Sequence, residues 1–216
     1  MVRAAGWDDV ARVELPGHGG APDWDGGPYL AQARGLVLDA LGDGPVHLVG
    51  HSFGGVAALA AALERPDAVA RLSLIEPVLF AAAPPGARAA NDAAFAPFAA
   101  AWVAGDREGA ARAFLSVWGG LPWDAMPERM RRYAVDRIHL IPAADADLNA
   151  DREGLLPRLA ALGMPVDLIG GAESPPVTGA ILDALAEKLP DARRAAVDGA
   201  GHMAPITHPA EVARLL

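Results

Sequence analysis

The chain has 216 residues, 52% hydrophobic and 21% charged, which suits one compact domain with a sizeable buried core. A formal net charge of −9, with no lysine- or arginine-rich run, disfavours a nucleic-acid binder, which needs a basic face to meet phosphates. Cysteine is absent, so disulfides, thiolate metal sites and cysteine nucleophiles are excluded together.

The first ten residues hold Asp8 and Asp9 and no long apolar run, unlike a signal peptide. Val10 to Leu15 is the first strand candidate, ended by Pro16-Gly17-His18-Gly19. Residues 29–41 read as a helix. Val46 to Val49 is the second strand candidate, ended by Gly50, and a helix over 53–64 follows. Its alanine-rich stretch, Val56 to Leu63, is too short to cross a bilayer, which takes about 20 apolar residues. The expectation is a soluble, cytoplasmic protein. Leu72 to Ile75 is the third strand candidate, ended by Glu76-Pro77.

From about 81 to 157 the rhythm breaks into alanine, proline, tryptophan and arginine without β-like alternation. Phe95, Phe98 and Trp102 sit at i, i+3, i+7, a helical stripe, and Phe114 and Trp118 are four apart on a second. Such aromatics pack small helices together, and some can also line the roof of a pocket. Pro165 to Ile169, ended by Gly170-Gly171, and Ala195 to Val197, ended by Gly199, are the last strand candidates. Helices over 177–189 and 207–216 follow them, the last capped by Thr207 or His208 with Pro209 in its first turn. Strands alternating with helices predict an α/β fold with a mostly parallel sheet flanked by helices.

One motif carries chemistry. Gly50-His51-Ser52-Phe53-Gly54 is a G-x-S-x-G between an apolar strand and a helix. A nucleophilic serine must project from a tight, strained turn, and small glycines let strand and helix approach. The N–H of Phe53 then opens the helix, where donors are unpaired and the dipole favours negative charge, so it is a candidate oxyanion donor. The plain alternative is a buried structural serine in a glycine turn. His202, in Gly199-Ala200-Gly201-His202-Met203, follows the last strand candidate and is the candidate base, because groups at the carboxyl edge of a parallel sheet converge. His18, in a tight turn, His47, on a buried strand, and His139 and His208 are weaker candidates. His51 flanks the nucleophile, and a histidine there packs more often than it reacts.

With Leu15-Pro16-Gly17-His18-Gly19, Gly50-His51-Ser52-Phe53-Gly54-Gly55, Gly170-Gly171 with Ser174-Pro175, and Gly201-His202 in place, the chain resembles the α/β-hydrolase fold superfamily, specifically serine hydrolases with a helical cap. The resemblance runs from about residue 10 onward. It implies a core of residues 1–80 and 158–216 with 81–157 as an inserted helical cap. It also implies a Ser-His-acid triad acting on a small ester, thioester or related carbonyl substrate. C–C bond cleavage by the same triad is the sister reading.

Two departures from the family pattern stand out. The usual acid is an aspartate just past the next-to-last strand, where this chain has Ser174, preceded by Glu173. Glu76, ending the strand after the nucleophile strand, is the first substitute, as in some relatives; Glu173 is the second, and a merely salt-bridged or solvated Glu76 is the plain alternative. A triad needs such a carboxylate to fix the histidine tautomer and stabilise the imidazolium. The other departure is that relatives begin with additional strands, one ending in a His-Gly loop that supplies a second oxyanion donor. Met1 here lies only a few residues before the strand leading to Pro16-Gly17, so the expectation is a shortened N-terminus. Losing one such donor costs about 10²–10³ in rate, which keeps open a catalytically impaired remnant that binds a small molecule. No metal or other cofactor is called for, nor a nucleic-acid or membrane partner. An uncovered sheet edge would favour a homo-oligomer.

Overall fold

The computed structural model describes residues 5–7 and 9–216; Met1 to Ala4 and Asp8, part of the segment read above for a leader, lie outside the described residues. Among the described residues four strands form the sheet: β1 (Val46–His51), β2 (Val69–Ile75), β3 (Val166–Gly171) and β4 (Ala192–Val197). They run parallel in the order β1-β2-β3-β4, so all four carboxyl ends reach one edge. The stretch Val10–Leu15 departs from expectation. It joins no ladder, although Val13 and Leu15 pack on the core. Its alternation suits burial of one side, but a strand also needs a neighbouring backbone to pair with, and this segment pairs with none of the four.

Helix α1 (Tyr29–Ala40) lies against α2 (Phe53–Glu64), and α2 lies on β1 and β2. Every residue of α2 from Gly55 to Leu63 is buried, as expected of a helix that is apolar all round. Side chains alternate across the sheet. Leu72, Leu74, Val166 and Leu168 therefore enter the main core beneath α2 and α7 (Pro176–Ala186), while Ile75, Ile169 and Val197 join Ala204 and Val212 on the other face. Those last two sit on α8 (Ala204–Thr207) and α9 (Pro209–Ala213). The C-terminal helix is thus split at His208. Pro209 disfavours helical backbone in the residue before it, and His208 has φ −130°.

Between β2 and β3 come α3 (Pro85–Val103), α4 (Arg107–Trp118), α5 (Glu128–Arg137) and α6 (Leu140–Ala150). Phe98, Ala110, Ala111, Trp123, Met126 and Ile138 form a separate small core among them. The aromatic stripes do this packing: Phe95 stacks on Phe98 with ring centroids 4.6 Å apart, and Phe114 meets both. Among the described residues no helix is long and apolar enough to cross a membrane.

A polar chain crosses the second face. The Ser73 hydroxyl donates to Asp167 Oδ2 (3.0 Å) and accepts from His47 Nε2 (2.8 Å). Arg71 gives Asp167 two hydrogen bonds, of 2.7 and 2.9 Å, and Arg193 gives one of 2.9 Å. Burial pushes the Asp167 carboxyl up, but the hydrogen bonds from Arg71 and Ser73 and the two positive charges outweigh it, leaving the pKa below its ordinary value of 3.8. The stability this group contributes is therefore present above that value and lost as pH falls through the lower folded one. Asp167→Asn should lower unfolding free energy by about 2 kcal/mol, because the partly exposed arginines can rehydrate. Urea denaturation at neutral pH measures this; an unchanged midpoint would remove the network from any account of stability.

Candidate active site

The strand-to-helix corner after β1 is built by steric necessity. A Cβ on Gly50 would lie 2.4 Å from the Gly54 carbonyl oxygen and 2.6 Å from Gly55 Cα, so only glycine lets α2 turn back against the strand. Ser52 takes φ 54°, ψ −126°, a conformation that non-glycine residues adopt at a cost of about 1–3 kcal/mol. It is held there by its N–H on Ile75 O (2.9 Å) and by Gly55 N–H on its own carbonyl (3.0 Å). The result aims the Ser52 hydroxyl off the sheet edge. Phe53 is the first residue of α2, among the helix donors that have no intrahelical acceptor.

His202 arrives from the turn after β4. Its Nε2 is 2.9 Å from Ser52 Oγ, and its Nδ1 is 2.6 Å from Glu76 Oε2. Glu76 follows β2 directly, with φ 47°, and its N–H donates to Ile169 O at 2.9 Å. Residues from the ends of two neighbouring strands and from a distant turn thus meet in one row. His202 is 6% exposed and Glu76 not at all.

A bare carboxylate buried this fully would be costly, and Glu76 is not bare. Its second oxygen accepts the Gly171 N–H at 2.5 Å and the Ser174 hydroxyl. Burial raises the Glu76 pKa, but hydrogen bonds from His202, Ser174 and Gly171 outweigh it, and the pKa is lowered from its ordinary 4.5. Glu76 is thus held as an anion, and its charge faces the ring nitrogen remote from Ser52. With Glu76 accepting at Nδ1, the neutral ring carries its proton there and presents a lone pair to the serine hydroxyl.

Of the sequence-derived candidates, the structure brings together Ser52, His202 and Glu76, with Phe53 opening the adjacent helix. It does not bring in Glu173, which is exposed on the turn after β3. His47 belongs to the polar chain with Ser73 and Asp167, a second serine-histidine-carboxylate set with no nucleophile in it. There the fully buried serine is the middle link, with its proton given to the carboxylate. His18 bonds its own loop at Pro16 O, and His208 contacts Thr207.

Three contributors were not singled out from sequence. Ser174 stands where the family usually has its acid and instead donates to the Glu76 carboxylate. That missing aspartate was the available signal. Gly171 supplies a main-chain donor, which no sequence pattern announces; a Cβ there would lie 2.3 Å from Ala200 O. Trp118, read from sequence as part of a helical stripe whose aromatics can also line a pocket roof, ends α4 with its ring centroid 4.7 Å from that of His202, edge to face. A cavity of about 240 Å³ lies beside His202, bounded by Gly119, Gly120, Gly199, Met203 and Thr207 among others.

Comparison with known proteins bears on the family and the fold. A family model described as alpha/beta hydrolase fold matches residues 9–209. The pimeloyl-[acyl-carrier protein] methyl ester esterase of Methylococcus capsulatus is 32% identical over 217 residues, covering 96% of this chain and 82% of its own length. The protein of the same name from Aromatoleum aromaticum is 32% identical over 229 residues, covering 96% and 85%. Among solved structures, the 2-hydroxy-6-oxo-6-phenylhexa-2,4-dienoate hydrolase of Rhodococcus sp. strain RHA1 superposes with a TM-score of 0.67 at 17% identity, covering 94% of this chain and 76% of that one.

Proposed function

The chain belongs to the alpha/beta hydrolase fold family, and from that membership we propose that it is a serine esterase acting on carboxylic esters with a small alcohol leaving group. The observation that carries this reading is the row Ser52 Oγ, His202 Nε2, His202 Nδ1, Glu76 Oε2, with successive gaps of 2.9 and 2.6 Å. Both gaps are within hydrogen-bond reach, the first for proton transfer from the serine and the second for orienting the imidazole.

Mechanism follows from the atoms. His202 Nε2 removes the Ser52 proton as Oγ bonds to the ester carbonyl carbon, whose π electrons move to oxygen. Phe53 N–H faces that oxyanion, aided by the positive end of α2. The imidazolium, stabilised by Glu76, then gives its proton to the departing alkoxide. Water, deprotonated by the same nitrogen, attacks the acyl-serine; the carboxylic acid leaves and Ser52 recovers its proton. We assign the helices over 85–150 to a cap whose inner residue, Trp118, shields the base from water.

The two methyl ester esterases support a methyl ester of an acyl chain as the natural substrate class. The carbon–carbon hydrolase neighbour, at 17% identity, shares the fold and does not favour its chemistry here. The test is to offer the purified chain p-nitrophenyl butyrate and the monomethyl ester of a dicarboxylic acid, with a fluorophosphonate probe in parallel. Turnover of both esters and labelling that maps to residue 52 is the expected result. Labelling at another residue, or turnover no faster than buffer, overturns the assignment and leaves a small-molecule binding protein.

A further inference from the structure

We propose that His51 is a positioning residue for this reaction: its ring anchors the main chain of His202 and thereby aims the base at Ser52. The proposal rests on the serine-esterase reading above and adds a component to it.

His51 is the last residue of β1 and the immediate neighbour of Ser52. Its Nε2 lies 2.8 Å from the carbonyl oxygen of His202. A carbonyl only accepts, so the ring must carry its proton on Nε2. In the turn that bears the base, the carbonyls of Ala200, Gly201 and Met203 take backbone N–H groups, from Glu173, Ala204 and Ile206. The carbonyl of His202 takes the His51 side chain instead. Consecutive residues at the end of one strand therefore hold His202 at two points, Ser52 at the reactive nitrogen and His51 at the main chain.

The placement also settles the charge of the ring. Its centroid is 4.9 Å from that of His202, and the titratable groups facing it are His202 and Glu76. Burial first, then the neighbouring His202, push its pKa down to about 4. A neutral donor fixes the turn without placing a second positive charge beside the imidazolium that forms during turnover. A displacement near 1 Å of a reacting group can cost about 10²-fold in rate, and a turn released from its anchor is free to move that far.

The experiment compares His51→Ala with His51→Gln, whose amide N–H can reach the same carbonyl. Thermal melts monitored by circular dichroism first establish that both variants fold. In His51→Ala, kcat should fall about 10- to 100-fold with KM within about twofold, and His51→Gln should return to within about fivefold of the parent chain. A readout independent of turnover is the downfield proton resonance of the His202–Glu76 hydrogen bond, which should broaden or shift in His51→Ala and persist in His51→Gln. Parent-like kcat and resonance in His51→Ala overturn the proposal, as does a folded His51→Gln no better than His51→Ala. Ser52→Ala run alongside separates the two readings. Activity surviving there sinks the esterase assignment, with the resonance still deciding the anchor; a dead Ser52→Ala beside an unaffected His51→Ala removes the anchor alone.

Discussion

Ser52→Ala is expected to bring ester hydrolysis down by about 10⁵-fold or more in kcat/KM, with KM changed little. The loss is this large because the hydroxyl is the only atom in the proposed row that bonds to the substrate; without it, His202 and Glu76 are left as an oriented base with nothing to activate. Removing the nucleophile of a serine triad elsewhere costs about as much as removing all three members, since the three act as a unit. The substitution also relieves nothing that the fold depends on. Ser52 holds its φ of 54° through main-chain hydrogen bonds to Ile75 and from Gly55, so the variant should fold and bind. Stopped-time assays with a p-nitrophenyl ester, together with loss of fluorophosphonate labelling, measure the effect. Residual turnover within a hundredfold of the parent chain would mean that another group attacks the carbonyl.

The second large effect is expected at Glu76. Glu76→Gln keeps the shape but presents an amide, which can donate to His202 Nδ1 and so favour the wrong tautomer; the corresponding change in a serine protease costs about 10⁴ in kcat. A drop of about 10³- to 10⁴-fold in kcat is the expectation here, while Glu173→Gln, on the exposed turn, should stay within about twofold. The reverse pattern would transfer the acid's role to Glu173. The same carboxylate sets a pH trend. Its folded pKa lies below the ordinary 4.5, so its contribution to stability is complete above that value and is lost only as pH falls through the depressed folded one. The hydrogen bond between Glu76 and His202 should accordingly survive mild acid.

Much of this architecture was legible because it rests on local rules. The runs Val46–Val49, Leu72–Ile75, Pro165–Ile169 and Ala195–Val197 are each followed by glycine or Glu-Pro at or near their ends, and each overlaps an observed strand. Ser52 and His202 could be paired from sequence because parallel strands send their ends to one edge. Choosing Glu76 over Glu173 was harder: both follow strands, and what separates them is burial and three hydrogen-bond donors, which are tertiary facts. Val10–Leu15 shows the opposite failure. Its apolar pattern is that of a strand, yet strand formation depends on a neighbour's free backbone, about which a residue's own identity says nothing. His51 reads as a packing residue, and Trp118 as packing or roofing a pocket, without a link to His202, because contact with His202 arises across the fold, from positions far away in the chain.

Ser52 and His202 are 150 positions apart, and Glu76 is 126 from His202. Until β4 has been laid beside β3, the turn after it has no fixed address, and the serine at the corner is an ordinary alcohol. The proposed row therefore depends on β4 being in place. On the proposed mechanism, a chain whose last strand slips loose would fall silent while most of its helices remain intact.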